Sequence, residues 1–104
     1  MTIGVLNENR HCRIRLEELT IYTAAEVVEA LRAALAGEPA SLSIDLVDVS
    51  EIDTAGIQML LMIRQEAQRR QIPVTFIDGG PAIAESLALV NLSPLFQFEM
   101  AAAA

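Results

Sequence analysis

The chain contains no lysine, one histidine and one cysteine. Its positive charge therefore rests on seven arginines against 14 acidic residues, for a net charge of −7. Nucleic acids and anionic lipid surfaces are bound through clustered positive charge, so this surface matches neither and suits a basic or ligand-charged partner better. Cys12 stands alone, which excludes an intramolecular disulfide. His11 also stands alone, and no nucleophile, base and acid form a set; no glycine-rich phosphate loop follows a strand. An enzyme and a cofactor are not expected. Asp45, Asp48, Glu51 and Asp53 supply oxygen ligands in principle, but their spacing matches no calcium loop, and no metal is expected. No apolar run reaches the roughly 18 to 20 residues of a membrane helix. The opening Met1-Thr2-Ile3-Gly4 has neither a basic leader nor a long apolar core, so the expected location is the cytoplasm, without membrane insertion.

The composition does suffice for a packed core. With 53% hydrophobic and 20% charged residues the 104-residue chain reads as globular, and without linker, repeat or composition break it reads as a single domain over 1–104. The stretch from Leu42 to Arg70 organises the rest. Leu42, Ile44 and Leu46 alternate with Ser43, Asp45 and Val47 and predict a strand running toward Val49. A polar loop with Ser50, Glu51 and Asp53 follows, and Asp53 or Thr54 is placed to cap a helix opening near Ala55. Thr54 thus lies on a helix N-terminus at the carboxyl end of a strand, where ligands and chemistry gather in open α/β sheets.

Other elements follow the same logic. Thr2 to Leu6 predicts a short strand, Asn7-Glu8-Asn9-Arg10 a turn, and His11 to Glu17 a strand with Cys12, Ile14 and Leu16 inward. Thr23 with Glu26 has the spacing of a capping box; Val27, Val28, Leu31, Ala34 and Leu35 then recur at helical spacing until Gly37. Gln71-Ile72-Pro73 breaks the second helix, Val74 to Ile77 is a buried strand, and Asp78-Gly79-Gly80-Pro81 turns into a third helix over Ala82 to Val90, with Asn91 as its stop. Leu95, Phe96, Phe98 and Met100 predict a last piece packed on the sheet, and four alanines fray beyond it. Strands alternating with helices imply a mixed α/β fold of about four to five strands.

Ile44-Asp45-Leu46 followed by Ile52-Asp53-Thr54-Ala55-Gly56-Ile57 resembles the signature of the STAS domain family of anti-sigma-factor antagonists. Leu19-Thr20-Ile21-Tyr22, Val74-Thr75-Phe76-Ile77 and Leu92-Ser93-Pro94-Leu95-Phe96 extend the resemblance over nearly the whole chain. It implies helices on one side of the sheet and a hydroxyl at Thr54 that a serine/threonine switch kinase or anti-sigma factor phosphorylates. Many family members carry serine at that position, and Gly-Glu-Leu-Asp where this chain has Glu17-Glu18-Leu19-Thr20. Asp-Thr-Ala-Gly is also similar to the STAS subunit of a lipid-asymmetry ABC transporter, which implies docking on a transporter ATPase, or on a chemotaxis-type complex, without phosphorylation. In the first reading a phosphate adds roughly −1.5 to −2 charges, is accommodated by the free N–H groups of the helix end, and repels the partner. Nothing in the sequence sets the oligomeric state.

Taken without the resemblance, a threonine at this junction is most often an N-cap worth about 1 kcal/mol, and Gly56 a point of close packing. On a helical projection Gly56, Leu60, Ile63 and Ala67 share one face, and Gln58, Gln65, Glu66 and Arg69 the other. Met62 falls in the polar arc and Leu61 at its edge. A single exposed apolar residue is ordinary. Grouped with Asp53, Thr54, Gly56, Gln58, Thr20 and Tyr22, however, Leu61 and Met62 define a candidate partner-binding surface. On that reading Met62→Glu weakens partner binding and leaves thermal stability unchanged.

Overall fold

The computed structural model describes residues 3–77, 80–96 and 98–99. In chain order the elements are β1 (Gly4–Glu8), β2 (His11–Arg15), β3 (Glu18–Leu19), α1 (Ala24–Ala36), β4 (Ser41–Asp45), β5 (Glu51–Ile52), α2 (Thr54–Arg69), β6 (Val74–Ile77), α3 (Gly80–Leu89), a 3-10 turn (Ser93–Leu95) and β7 (Phe98–Glu99). The principal sheet has the order β1-β2-β4-β6-β7. β1 and β2 form an antiparallel hairpin, and β2–β4, β4–β6 and β6–β7 are parallel. The parallel pairs require crossovers, which α1, α2 and α3 supply.

The alternation read from β2 and β4 is the reason the sheet has two unlike faces. Cys12, Ile14, Leu42, Ile44 and Phe76 are buried under the helices, with Phe96 edge-on to Phe76 at a centroid distance of 5.1 Å. Burial pushes the Cys12 thiol pKa up. The other face is polar and self-satisfied. His11 contacts the Ser41 and Ser43 hydroxyls at 2.5 and 2.8 Å, Arg13 donates to Asp45 at 2.6 Å, and Arg15 pairs with Asp48. Helices therefore lie on one side of a mixed sheet, as the family resemblance implies.

Several local expectations change. The strand expected to run to Val49 stops at Asp45, because the Asp45 carboxylate accepts the Val47 N–H at 3.0 Å and Val49 N–H bonds back to Leu46. The chain then forms a second, two-stranded parallel sheet, β3 with β5. Thr23 occupies the N-cap position of α1 but makes no capping bond. Its hydroxyl instead accepts from Thr20 N–H and donates toward the Glu18 and Thr20 carbonyls, so no capping box with Glu26 forms. The β1–β2 turn is the two residues Asn9 and Arg10, both at positive φ, and β1 extends to Glu8 rather than Leu6. α3 starts at Gly80, two residues early, and Asn91 ends it at φ 58°. Thr2, Asp78, Gly79, Met100 and the terminal alanines lie outside the described residues. No helix among the described residues is long and apolar enough to cross a membrane.

Candidate functional site

In a sheet of this kind the loops leaving the carboxyl ends of the parallel strands meet on one edge. Here they are the segment after β2, carrying β3 and the entry to α1, and the segment after β4, carrying β5 and the entry to α2. The small β3–β5 sheet joins them, with Glu18 opposite Glu51 and Leu19 opposite Ile52. Ser50 N–H donates to Glu17 O and Asp53 N–H to Leu19 O at 3.2 and 3.1 Å, which closes the ladder.

Asp53 is the joint of this assembly. Its backbone is extended (φ −122°, ψ −172°), as an N-cap requires, and its carbonyl accepts the first helical bond from Ile57. One carboxylate oxygen accepts from Gly56 N–H at 2.9 Å, which caps α2; the other accepts from Ile21 N–H at 3.0 Å, which ties down the loop before α1. These N–H donors, Ile21 first and then Gly56, hold the Asp53 carboxyl below the ordinary carboxylate range. One short side chain therefore sets both the start of α2 and the position of the Ile21-Tyr22 loop beside it.

Gly56 explains why the two can approach. A Cβ at this position would lie 2.0 Å from the Leu19 carbonyl oxygen and 2.8 Å from Ile52 Cγ1. The first turn of α2 thus rests directly on the backbone of β3, and only a residue without a side chain fits.

The structure distributes the expected site residues unevenly. Thr54, the first residue of α2, is exposed, as are Gln58 one turn on and Tyr22, which is 88% accessible. Asp53 is part-buried beneath them. Thr20 is buried rather than on the rim, its hydroxyl donating to Glu18 at 2.7 Å and accepting from Tyr22 N–H. Gly56 is buried as a packing residue. Leu61 and Met62 are part-buried against the core instead of projecting from the polar arc. Met62 lines a groove of about 260 Å³ between α1 and α2, with Val28, Leu31, Leu35 and Glu66. Ile21, 66% exposed beside Tyr22, is a further surface residue that the motif does not single out. An apolar pair directly before a helix cap was its only signal.

An open cavity of about 510 Å³ lies between the small sheet and α3, bounded by Tyr22, Ser50, Glu51, Asp53, Glu85 and Ser86. Three carboxylates make it acidic. Among the described residues no group of three or more histidines, cysteines and carboxylates is arranged to hold a metal ion. The Asp53 carboxylate takes the Gly56 N–H, one of the free N–H groups at the start of α2, as the capping role expected of Asp53 requires.

Comparison with known families matches residues 4–97 to the family described as "Mlab, STAS domain". By sequence, no curated protein matches the chain. Among solved structures the chain is similar to an anti-sigma factor antagonist from Mycobacterium paratuberculosis, with TM-score 0.81 and 22% identity over 93% of this chain and 83% of that one. It is similar to the Bacillus cell fate determinant SpoIIAA in its phosphorylated form, with TM-score 0.73 and 15% identity over 97% and 92% of the two chains. A substituted RsbS from Moorella thermoacetica gives TM-score 0.76 and 20% identity over 100% and 89%. At these identities the likeness is one of fold.

Proposed function

The chain belongs to the STAS domain family, and on that basis we propose that it is a cytoplasmic, non-enzymatic regulatory module of the anti-sigma-factor antagonist kind. Unmodified, it binds a kinase-fold regulator, an anti-sigma factor or switch kinase, through the face bearing Thr54, Gln58, Tyr22 and Ile21; phosphorylation of Thr54 ends the association. The observation that carries this reading is the exposed Thr54 hydroxyl at the first position of α2, next to an exposed Ile-Tyr pair that Asp53 holds in register with it. Binding energy in protein interfaces concentrates in a few such apolar and aromatic anchors.

The charge argument supports release on modification. Glu51, Asp53 and Glu85 already border the cavity next to Asp53, and the lowered pKa of Asp53 keeps that carboxylate ionised further into acid than an ordinary one. A phosphate of roughly −1.5 to −2 charges on Thr54 meets these carboxylates and disfavours a packed, complementary surface.

A second reading rests on the similarity of Asp53-Thr54-Ala55-Gly56 to the STAS subunit of a lipid-asymmetry ABC transporter: the same face docks constitutively on a transporter ATPase, and the Thr54 hydroxyl is itself a contact. One experiment separates the two. The purified protein is incubated with a candidate kinase-fold regulator and ATP, and phosphate is mapped by mass spectrometry. Labelling confined to Thr54 supports the switch. Absence of labelling, with co-purification of a transporter ATPase that Thr54→Ala abolishes, supports docking instead.

A further inference from the structure

The hairpin at the amino-terminal end carries a feature unrelated to Thr54. Asn9 and Arg10 have φ 52° and 65°, the two positive values of a type I′ turn. In such a two-residue hairpin the flanking pair, here Glu8 and His11, exchanges both backbone hydrogen bonds, and such pairs alternate along the ladder. Glu8, Leu6 and Gly4 therefore direct their backbone groups to β2. Val5 and Asn7 direct theirs outward. β1 is the first strand of the sheet, and among the described residues nothing pairs with its outer side.

Edge strands of this kind are usually blunted by lysine, proline or a bulge. β1 has none of these: its register with β2 is unbroken over five pairs, and its sequence is Gly-Val-Leu-Asn-Glu. Val5 and Leu6 are 49% and 59% exposed, one on each face of the sheet.

We propose that β1 is a self-association edge, where a second copy of this chain pairs antiparallel through Val5 and Asn7 about a two-fold axis at Leu6. Charge complementarity selects this register. With the axis at Leu6, Glu8 of one copy lies opposite Gly4 of the other. Gly4 has no side chain, and its neighbour on the same face of β2 is Arg15, whose side chain is 59% exposed. The Glu8 carboxylate then reaches the Arg15 guanidinium across the vacant Gly4 position, and symmetry makes the pair twice. Arg15 engages Asp48 through Nε and Nη2, leaving Nη1 to donate. The outward N–H and C=O groups of Val5 and Asn7 pair with Asn7 and Val5 of the other copy, and Leu6 meets Leu6.

The test is sedimentation velocity of the full chain over a concentration series, at about 0.15 M salt, where screening over about 8 Å limits repulsion between the two −7 copies. A concentration-dependent dimer is expected. Glu8→Arg, at an exposed position, should weaken it at least tenfold with the circular dichroism spectrum unchanged. Leu6→Cys should oxidise to a disulfide-linked dimer, since facing residues of a non-hydrogen-bonded pair lie within disulfide reach. Asn7→Cys, which faces Val5, should not. A monomer at every concentration overturns the proposal, as does a dimer indifferent to Glu8→Arg or linked as readily through Asn7→Cys. A monomer that instead captures an extended peptide along β1 overturns it as well.

Discussion

Substituting Gly56 with alanine sets two well-characterised effects against each other. Gly56 lies in the first turn of α2 with an ordinary helical backbone, so propensity alone makes alanine more favourable by about 1 kcal/mol. The new methyl, however, would stand 2.0 Å from the Leu19 carbonyl oxygen and 2.8 Å from both the Leu19 carbonyl carbon and Ile52 Cγ1. Comfortable carbon contacts are about 3.5 to 4.0 Å, so α2 must retreat by more than 1 Å. Retreat is resisted from both sides. Leu19 is buried in the core and its carbonyl accepts Asp53 N–H at 3.1 Å, while Leu60 and Ile63 hold α2 to the sheet. Overpacking costs about 1 to 3 kcal/mol and occasionally more, and with a backbone atom as the obstacle the upper end applies. The net expectation is a loss of about 2 kcal/mol, or roughly 8 to 16 °C in Tm for a domain of this size. Urea titration and thermal melts followed by circular dichroism measure it, with Gln58→Ala, exposed on the same helix, as a control expected to stay within about 0.5 kcal/mol. A Gly56→Ala protein as stable as the parent, or more so, would refute the argument that α2 rests on the β3 backbone.

Three other outcomes follow from the same geometry. Arg13→Ala leaves the Asp45 carboxylate, whose side chain is 6% exposed, without its cation; because Arg13 is itself half-exposed, the expected loss is about 2 kcal/mol, below the range for fully buried pairs, read from denaturant midpoints. Met62→Glu places a charge in the α1–α2 groove beside Glu66 and should lower stability by about 1 to 2 kcal/mol, the reverse of the unchanged melting expected from the helical projection. The Asp53 carboxyl has a lowered pKa in the folded protein, so its contribution is complete above the unfolded value of about 3.9 and is lost as pH falls through the folded one. Asp53→Asn should accordingly flatten the acid side of the stability profile, with Tyr22 fluorescence, from the chain's one tyrosine, reporting release of the loop.

The elements that could be read from sequence are those whose burial is one-sided. Cys12, Ile14, Leu42 and Ile44 alternate because one face of β2 and β4 meets helices and the other meets water and paired charges. Gly56, Leu60, Ile63 and Ala67 recur because the sheet side of α2 is continuous. Met62 is part-buried rather than exposed because α2 has two neighbours: α1 covers a second flank, so the buried arc is wider than a projection with one contact face allows. The β3–β5 sheet leaves no trace in the sequence because two-residue strands carry no periodicity; backbone bonds such as Asp53 N–H to Leu19 O define them. Thr23 has the spacing of a capping residue, yet its hydroxyl finds carbonyls of the preceding loop. Within the candidate site, Asp53, Thr54 and Gly56 stood out by motif. That Asp53 also binds Ile21 N–H, 32 residues away in sequence, is a long-range contact that no local pattern encodes.

The most direct test of the proposed switch is the affinity of the kinase-fold regulator for three forms of the protein, measured by calorimetry with folding checked by circular dichroism. The account predicts that Thr54→Ala binds as tightly as the parent, because the exposed hydroxyl makes no required bond, while Thr54→Glu binds at least tenfold more weakly, about 1.4 kcal/mol. Equal affinity for Thr54→Glu and the parent, with all three forms folded, would contradict it.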